Sequence, residues 1–589
     1  MTGADADGPG RAGGVHARAL PRPAQERPGT DDAADVAGRP DLPDLPDVPD
    51  VPDVPATLAW LGRWLVPVVP AVAALVTGGY HLGVPPLWRD EAATKAIAGR
   101  PVGQIVATMP HDDVVHFAYY LVVHVVIMAA GSSNAALRLP SVLAMAVAAA
   151  FTALIARRLT RPAAGLPAER WYAAGAGLAA GLVFAVLPAV IRYAQEARSY
   201  AIVTMLAAIA TYLLLRALDE GERCLPRAKG RPRRPTASGT TGWWVAYSAA
   251  VFLTGLFNIF GLLILAAHGL TVLAAGRAGR ARRRLLGGPA GWLIAGAVAA
   301  VLLVPLGLMA YAQRDALSWM SPAPIVKNVV ALTHLWPGSP TLAWPVFGLA
   351  ATGVVASLIA ERRTLSIATV ALPWLVAPPA ILLAASTSHP VYDESYVEFC
   401  LPALAICVAA GLTWLWRGVA AVVPRAWPAA VPAIVALAAV VGLIAALQPA
   451  DAAVRQPGYR PDNLEHEAQI IAGNAKPGDI VFFIPVNDRI VSMPFPDPWR
   501  KLRDIALAET PAASNTLYGT DVSPPGLLAR FTRVTRVWVV SSSEVPLASY
   551  LASPQATAVD REEAGLIGRM REVRRWRDGD TELTLYATR

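Results

Sequence analysis

Two groups of charged residues follow apolar runs of the chain and could act together in a reaction. Asp90 and Glu91 lie in the segment WRDEA, directly after the first long apolar run. Arg192 and Arg198 lie between two later apolar runs. A carboxylate can take a proton from a hydroxyl, and two guanidinium groups can hold one phosphate. The combination suits the transfer of a sugar from a lipid phosphate, because a phosphate leaving group needs no proton at neutral pH and one carboxylate base can suffice.

The composition predicts a protein that crosses a membrane many times. Of the 589 residues, 54% are hydrophobic and only 16% are charged, whereas soluble domains contain about 25% charged residues. The net charge of +8 could indicate nucleic-acid binding. Basic loops that remain in the cytoplasm explain it better, and we expect no nucleic-acid partner. The three cysteines form no disulfide framework.

Apolar runs and basic loops together predict about eleven spans, with the N-terminus inside. The run at residues 117–130 is too short for a normal span, so we interpret it as a helix that lies in the outer interface. Under this assignment the dense basic clusters lie inside and Asp90, Arg192 and Arg198 lie outside. The spans are predicted at residues 64–79, 137–156, 171–191, 200–215, 243–257, 261–275, 292–311, 343–360, 365–385, 397–416 and 427–447.

Three regions follow from these patterns. Residues 1–57 contain the repeat DLPDLPDVPDVPDVP and are predicted to be a disordered cytoplasmic tail. Residues 58–448 would form the membrane domain, which we place in the plasma membrane. Residues 449–589 are predicted to form a small extracytoplasmic α/β domain, with a helix at 464–475 and strands at 480–484, 534–540 and 583–587. We expect this domain to be a lid or packing platform rather than a separate catalytic unit.

The positions of the charges distinguish between classes of membrane protein. A transporter is expected to carry ionisable groups in the middle of the membrane, and here they collect at the outer ends of the spans. This favours chemistry at the outer surface. Arg192 and Arg198 could instead only extend towards lipid headgroups, and the residues alone favour neither interpretation.

Several motifs resemble a known family of enzymes. The segment WRDEA resembles the acidic motif in the first external loop of GT-C glycosyltransferases, which include protein O-mannosyltransferases and the aminoarabinose transferase of lipid A. The run HDDVVHFAYYLVVH at residues 111–124 is followed by RLPS at 138–141 and QEARSY at 195–200. These elements, in this order, are similar to bacterial family-39-type mannosyltransferase-like proteins. The resemblance implies a mainly α, GT-C-type helical bundle with outer interfacial helices.

The resemblance also implies roles for particular residues. Asp90 would be the general base, and Glu91 would position the acceptor or assist. The donor would be a polyprenyl-phosphate hexose, with mannose favoured, and the acceptor would be a protein, lipid or glycan hydroxyl. The substrate-binding residues would be Asp113, His116, Tyr119, Tyr120 and Arg138 in the pocket, and Arg192, Glu196, Arg198 and Tyr200 at the donor end.

One position departs from the family pattern. The family often has an Arg-Tyr pair at the outer start of a late span, and this sequence has Ser395 and Tyr396 there. The protein would then use another cation, use a different donor, or be impaired.

Other functions and a metal cofactor remain as alternatives. The chain could be a transporter or flippase of a lipid-linked glycan, or a non-catalytic membrane scaffold for cell-envelope assembly. Asp113 and His116 could bind a divalent metal, but two ligands do not make a site, and no metal or other cofactor is expected.

Overall fold

The computed structural model describes residues 56–160, 167–223, 237–277, 288–317, 320, 323–360, 364–422 and 430–589. The predicted tail, residues 1–57, lies outside this part of the chain except for its last two residues, which open the first helix. Residues 56–589 form one compact unit.

The first eight α-helices carry the segments that sequence analysis singled out. Residues 117–130 form the helix α4, whose interfacial position stays a prediction, and the QEARSY segment connects α7 to α8. The helices are α1 (Ala56–Gly79), α2 (Arg89–Ala98), α3 (Val102–Thr108), α4 (Phe117–Ala130), α5 (Asn134–Leu159), α6 (Pro167–Val186), α7 (Pro188–Ala194) and α8 (Tyr200–Arg223).

The next nine helices complete the apolar bundle. A 3-10 helix, Glu394–Cys400, directly precedes α16. The α-helices are α9 (Ala237–Phe257), α10 (Ile264–Arg277), α11 (Gly288–Leu302), α12 (Val304–Ala312), α13 (Ile325–Leu335), α14 (Pro340–Ala360), α15 (Ile367–Ala385), α16 (Leu401–Val422) and α17 (Ala430–Val454).

Two predicted spans are bent. The span predicted at 171–191 is divided into α6 and α7, which meet at 62°, and the span predicted at 292–311 is divided into α11 and α12, which meet at 50°. Pro188 and Pro305 lie at the start of the second helix of each pair. Proline cannot donate the backbone hydrogen bond that would continue the preceding helix, so the chain turns at these points. The connection between the spans predicted at 292–311 and 343–360 also contains a helix, α13.

The number of spans stays a prediction. By length and composition, six helices of the described residues could cross a membrane, or eight if each bent pair is one span. The shorter apolar helices include Trp64–Gly79, Thr241–Phe257 and Val441–Val454. Counting these three as spans would give the predicted total.

The C-terminal part contains the expected mixture of helices and strands. The predicted strands correspond to β1, β5 and β7. Its helices are α18 (Leu464–Asn474), α19 (Pro496–Trp499), α20 (Pro511–Ser514), α21 (Pro524–Arg530), α22 (Leu547–Leu551) and α23 (Ala558–Ile567), and its strands are β1 (Ile480–Phe483), β2 (Arg503–Asp504), β3 (Leu507–Glu509), β4 (Thr520–Asp521), β5 (Arg536–Ser542), β6 (Arg571–Asp578) and β7 (Thr581–Ala587).

Five of these strands form one mixed sheet in the order β2-β1-β5-β7-β6. Strand β1 is parallel to β2 and β5, whereas β7 is antiparallel to β5 and β6. Sequence analysis missed β6 because its sequence, REVRRWRD, is mostly charged and shows no alternation of apolar residues. Its place at the edge of the sheet explains this composition, since charged residues protect an exposed strand edge.

The boundary predicted between the membrane domain and the C-terminal domain does not coincide with the end of a helix. Helix α17 continues through Pro449 to Val454, so residue 449 lies inside a helix. Buried residues of the membrane helices and of α18, β1 and β5 belong to one continuous apolar core. The division into two domains therefore stays a prediction.

Candidate active site

Helix α2 directs its two acidic residues into different surroundings. It begins at Arg89, and Asp90 and Glu91 lie in its first turn, where the helix dipole favours negative charge. Neighbouring residues on a helix point about 100° apart. The Asp90 side chain is 36% exposed, whereas the Glu91 side chain is completely buried. Of these two carboxylates, therefore, only that of Asp90 is open to a substrate.

Asp90 faces one guanidinium group directly. Arg198 Nε lies 3.4 Å from Asp90 Oδ2. Burial raises the pKa of Asp90, while Arg198 and His116 lower it in part, and the pKa remains above its ordinary value. A carboxylate with a raised pKa is a better proton acceptor once ionised.

Arg198 also contacts a second carboxylate, Asp113. Arg198 Nη1 lies 3.2 Å from Asp113 Oδ2, and Asp113 Oδ1 lies 2.7 Å from His116 Nδ1. The Tyr120 hydroxyl donates to Asp113 Oδ2. Burial would raise the pKa of Asp113, but the nearby His116 and Arg198 hold it well below its ordinary value. Asp113 is therefore an ionised group that fixes Arg198 beside Asp90.

Glu91 is enclosed by Arg138. Arg138 Nε donates to Glu91 Oε1 at 2.7 Å, and Nη2 donates to Oε2 at 2.6 Å. Arg138 also donates to the carbonyl oxygens of Leu82, Pro85 and Pro86. Burial would raise the pKa of Glu91, but Arg138 lowers it below its ordinary value. Both side chains are fully buried. This burial argues against the expectation that Glu91 contacts the acceptor or that Arg138 binds substrate.

Glu91 also joins α2 to the connection before α8. Its Oε1 accepts a hydrogen bond of 2.9 Å from the backbone nitrogen of Ala197. Ser141 Oγ donates to the carbonyl of Glu196 at 2.6 Å. The segment that carries Arg198 is therefore held in place by α2 and α5.

The tyrosines differ in their access to the site. Tyr119 is completely buried, and its hydroxyl lies 3.2 Å from Ser141 Oγ, which places it in the packing behind the site. Tyr200 lies 5.9 Å from His116 between ring centroids, and 6.4 Å from Tyr396. Sequence analysis did not propose Tyr396 as a site residue, because nothing in its local sequence shows that the late loop packs beside α8.

The other two donor-end residues, Arg192 and Glu196, contact groups other than Asp90. Arg192 lies over the Tyr193 ring, 5.2 Å from its centroid. Its buried Nε has no hydrogen-bond partner among the described residues. Glu196 instead forms a buried ion pair with Arg460, at 2.9 Å. The structure thus brings Arg198, rather than Arg192, into contact with Asp90. Arg460 was missed because it lies far along the chain, in a segment without a catalytic motif.

Ser395 makes local contacts where the family often has an arginine. Its hydroxyl and its backbone nitrogen both donate to Asp393 Oδ1, at 2.5 Å and 2.9 Å. Within the described part of the chain, no three His, Cys, Asp or Glu side chains are grouped so that they could hold a metal. Asp113 and His116 bond to each other instead.

Comparisons with known proteins agree with this architecture. Residues 116–278, which include His116, Arg138, Arg192 and Arg198, match the family model described as the protein O-mannosyl-transferase TMEM260 N-terminal domain. The structure of ArnT from Cupriavidus metallidurans bound to undecaprenyl phosphate superposes with a TM-score of 0.50 and 17% identity, over 90% of this chain and 98% of that chain. The chain has a GT-C fold of the ArnT type.

Two further structures are similar at lower scores. Apo ArnT from the same organism has a TM-score of 0.48 and 16% identity, over 90% of this chain and 98% of that chain. The apo oligosaccharyltransferase of Archaeoglobus fulgidus has a TM-score of 0.48 and 11% identity, over 82% of this chain and 70% of that chain. No curated protein matches the sequence significantly.

Proposed function

We propose that the protein is a membrane glycosyltransferase that moves a hexose from a polyprenyl-phosphate donor to an acceptor hydroxyl at the outer face of the plasma membrane. The main support for this proposal is the partly exposed carboxylate of Asp90, which lies 3.4 Å from the Arg198 guanidinium. A base and a fixed cation beside each other are what transfer from a phosphosugar requires.

The reaction needs only one proton acceptor. Asp90 would take the proton of the acceptor hydroxyl while the oxygen of that hydroxyl bonds to the anomeric carbon. The bond between this carbon and the phosphate oxygen breaks, and the polyprenyl phosphate leaves with the electron pair. Arg198 would stabilise the growing negative charge on the phosphate. Direct displacement of this kind inverts the anomeric configuration. Glu91 is not required as a second acid.

The remaining residues would support this chemistry in distinct ways. Asp113 and His116 would orient Arg198 and line the pocket, with Tyr120 and Tyr200 beside them. Glu91 and Arg138 would act as positioning residues behind the site, and Tyr119 would act by packing. Arg192, with its buried Nε unpartnered among the described residues, and Glu196 would lie towards the donor.

The comparisons support the choice of substrates. ArnT, which shares the fold, is described as bound to undecaprenyl phosphate, and this favours a polyprenyl-phosphate donor here. The matched family model is named for O-mannosyl transfer, and this favours mannose. The acceptor would be a protein, lipid or glycan hydroxyl.

The test is Asp90→Asn in the full-length protein. Membranes from the source organism, with its own gene deleted and the variant supplied, are given synthetic undecaprenyl-phosphate mannose with a labelled sugar. We expect transfer to fall at least about 100-fold, because loss of a general base typically costs this much, while the protein accumulates normally. Asp497→Asn is the control, because the Asp497 side chain is 82% exposed.

Two results would contradict the proposal. Full transfer by Asp90→Asn would eliminate Asp90 as the base. Movement of the lipid-linked sugar across vesicles, with no new glycosidic bond and no dependence on Asp90, would favour a flippase instead.

A further inference from the structure

The C-terminal segment, residues 449–589, binds Arg89, which lies immediately before Asp90. Arg89 forms ion pairs with Asp488 and, at 3.4 Å, with Asp462. Arg89 Nη2 also donates to Thr581 Oγ1 at 3.0 Å. The two carboxylates are almost completely buried, with 3% and 1% of their side chains exposed. The start of α2, and with it Asp90, is therefore attached to the C-terminal segment by buried charges.

A second contact of the same kind holds the segment before Arg198. Arg460 Nη1 lies 2.9 Å from Glu196 Oε2, and both side chains are at most 2% exposed. Arg460 Nη2 donates to the carbonyl of Gln195 at 2.7 Å. One C-terminal arginine thus satisfies both a carboxylate and a backbone carbonyl in the turn that leads to Arg198.

A third contact holds the residue before Asp113. The backbone nitrogen of Leu517 donates to Asp112 Oδ2 at 2.6 Å. The neighbouring carbonyl of Thr516 accepts a hydrogen bond of 2.9 Å from Arg100 Nη2. Asp90, Asp113 and Arg198 therefore each follow, within two positions, a side chain that the C-terminal segment binds.

We propose that the C-terminal segment is a positioning element of the active site, which acts through Arg460, Asp462 and Asp488 to set the separation of Asp90 from Arg198. This inference rests on the proposed function. It assigns the segment more than the role of a lid or platform, because its buried charges act on the elements that carry the reacting groups. Small displacements of such groups can cost a large part of the rate.

The pH dependence of transfer would report this separation. Arg198 lowers the pKa of Asp90, so an Arg198 that is less firmly held would leave that pKa higher. The acid limb of the pH–rate profile would then move to higher pH. Loss of folded protein alone would reduce the rate equally at every pH. The other titratable groups that interact with Asp90 are His116, Asp113, Glu196, Asp393, Tyr200, Tyr396 and Tyr518.

The experiment compares Arg460→Ala and Arg460→Lys with Arg577→Ala in the full-length protein. Arg577 also pairs with a carboxylate of the C-terminal segment, Glu582, at 2.8 Å, but its side chain is 66% exposed. Transfer from undecaprenyl-phosphate mannose is measured in membranes over a range of pH and is divided by the amount of protein. We expect Arg460→Ala to lower transfer about tenfold or more and to shift the acid limb upwards. Arg460→Lys should recover part of both effects, and Arg577→Ala should resemble the unmodified protein.

The possible outcomes separate this inference from the proposed function. If Asp90→Asn is inactive but Arg460→Ala keeps the rate and the pH profile of the unmodified protein, only the positioning role is wrong. A lower rate with an unshifted acid limb would also overturn it, as would an equal shift in Arg577→Ala. If Arg460→Ala does not accumulate, the same test is made with Arg460→Lys and Asp488→Asn. An acid limb shifted to higher pH in these variants would support the positioning role, and an unshifted one would overturn it. Full activity of Asp90→Asn would refute the proposed function itself.

Discussion

The buried pair of Glu91 and Arg138 offers a direct test of how this site is supported. Replacing Arg138 with methionine keeps much of the side-chain volume but leaves the Glu91 carboxylate buried without its counter-charge. Both side chains are 0% exposed, and the two ion-pair contacts measure 2.7 Å and 2.6 Å. Removing one partner of a buried ion pair costs about 3–5 kcal/mol. Arg138→Met should lower the free energy of unfolding by about this amount.

The assay is equilibrium unfolding of the purified protein in mixed micelles of dodecylmaltoside and dodecyl sulfate, followed by circular dichroism. The double variant Glu91→Leu with Arg138→Met removes both charges. Its loss should be smaller than the sum of the two single losses by about 1–3 kcal/mol. Arg500→Met is the control, because it breaks a pair with Asp497 of similar length, 2.8 Å, whose side chains are 76% and 82% exposed. Exposed pairs typically contribute less than about 1 kcal/mol.

A small effect of Arg138→Met would refute this reasoning. If its free energy of unfolding lay within about 1 kcal/mol of the unmodified protein, the pair would not hold α2 against α5. Additive losses in the double variant would show that the two side chains act independently.

Two further predictions follow from the site and from the helix packing. Transfer by the unmodified protein should fall as the pH is lowered, because only the ionised form of Asp90 accepts a proton. Burial raises the pKa of Asp90, so the midpoint of the pH–rate profile should lie above the ordinary pKa of an aspartate. A midpoint at or below that ordinary value would contradict this prediction. Gly411→Ala should reduce the thermal stability in detergent, because a Cβ at Gly411 would clash with the carbonyl of Leu349. Gly418→Ala in the same helix should have little effect, because a Cβ there would have no atom within 4 Å. Equal melting temperatures of the two variants would contradict the close packing of α14 against α16.

Much of the helical architecture could be predicted from local patterns. An apolar run of sufficient length indicates a helix wherever it lies, so the predicted spans at 200–215 and 365–385 coincide with α8 and α15. The sequence also placed Asp90 and Arg198 in connections between apolar helices. In the structure these two residues are in contact at 3.4 Å.

The burial of the candidate residues could not be predicted in the same way. Asp90 and Glu91 are chemically alike and adjacent, and only the fold places Arg138 of α5 around the Glu91 carboxylate. Tyr119 and Tyr120 are both buried, but the hydroxyl of Tyr119 lies beside Ser141 and that of Tyr120 donates to Asp113. Motif similarity placed all four of these side chains in the site, because a motif records residue types and spacing but neither solvent access nor hydrogen-bond partners.

The chain by itself determined that the protein is an apolar helical bundle, and it determined which polar segments interrupt the bundle, because these properties depend on residue type and local period. The tertiary structure alone decided which charges meet. Arg460 and Glu196 are separated by 264 positions in the chain, and no local pattern records their pairing. Groups so far apart in the chain meet only because the fold brings their segments together, and their burial keeps water from screening the attraction.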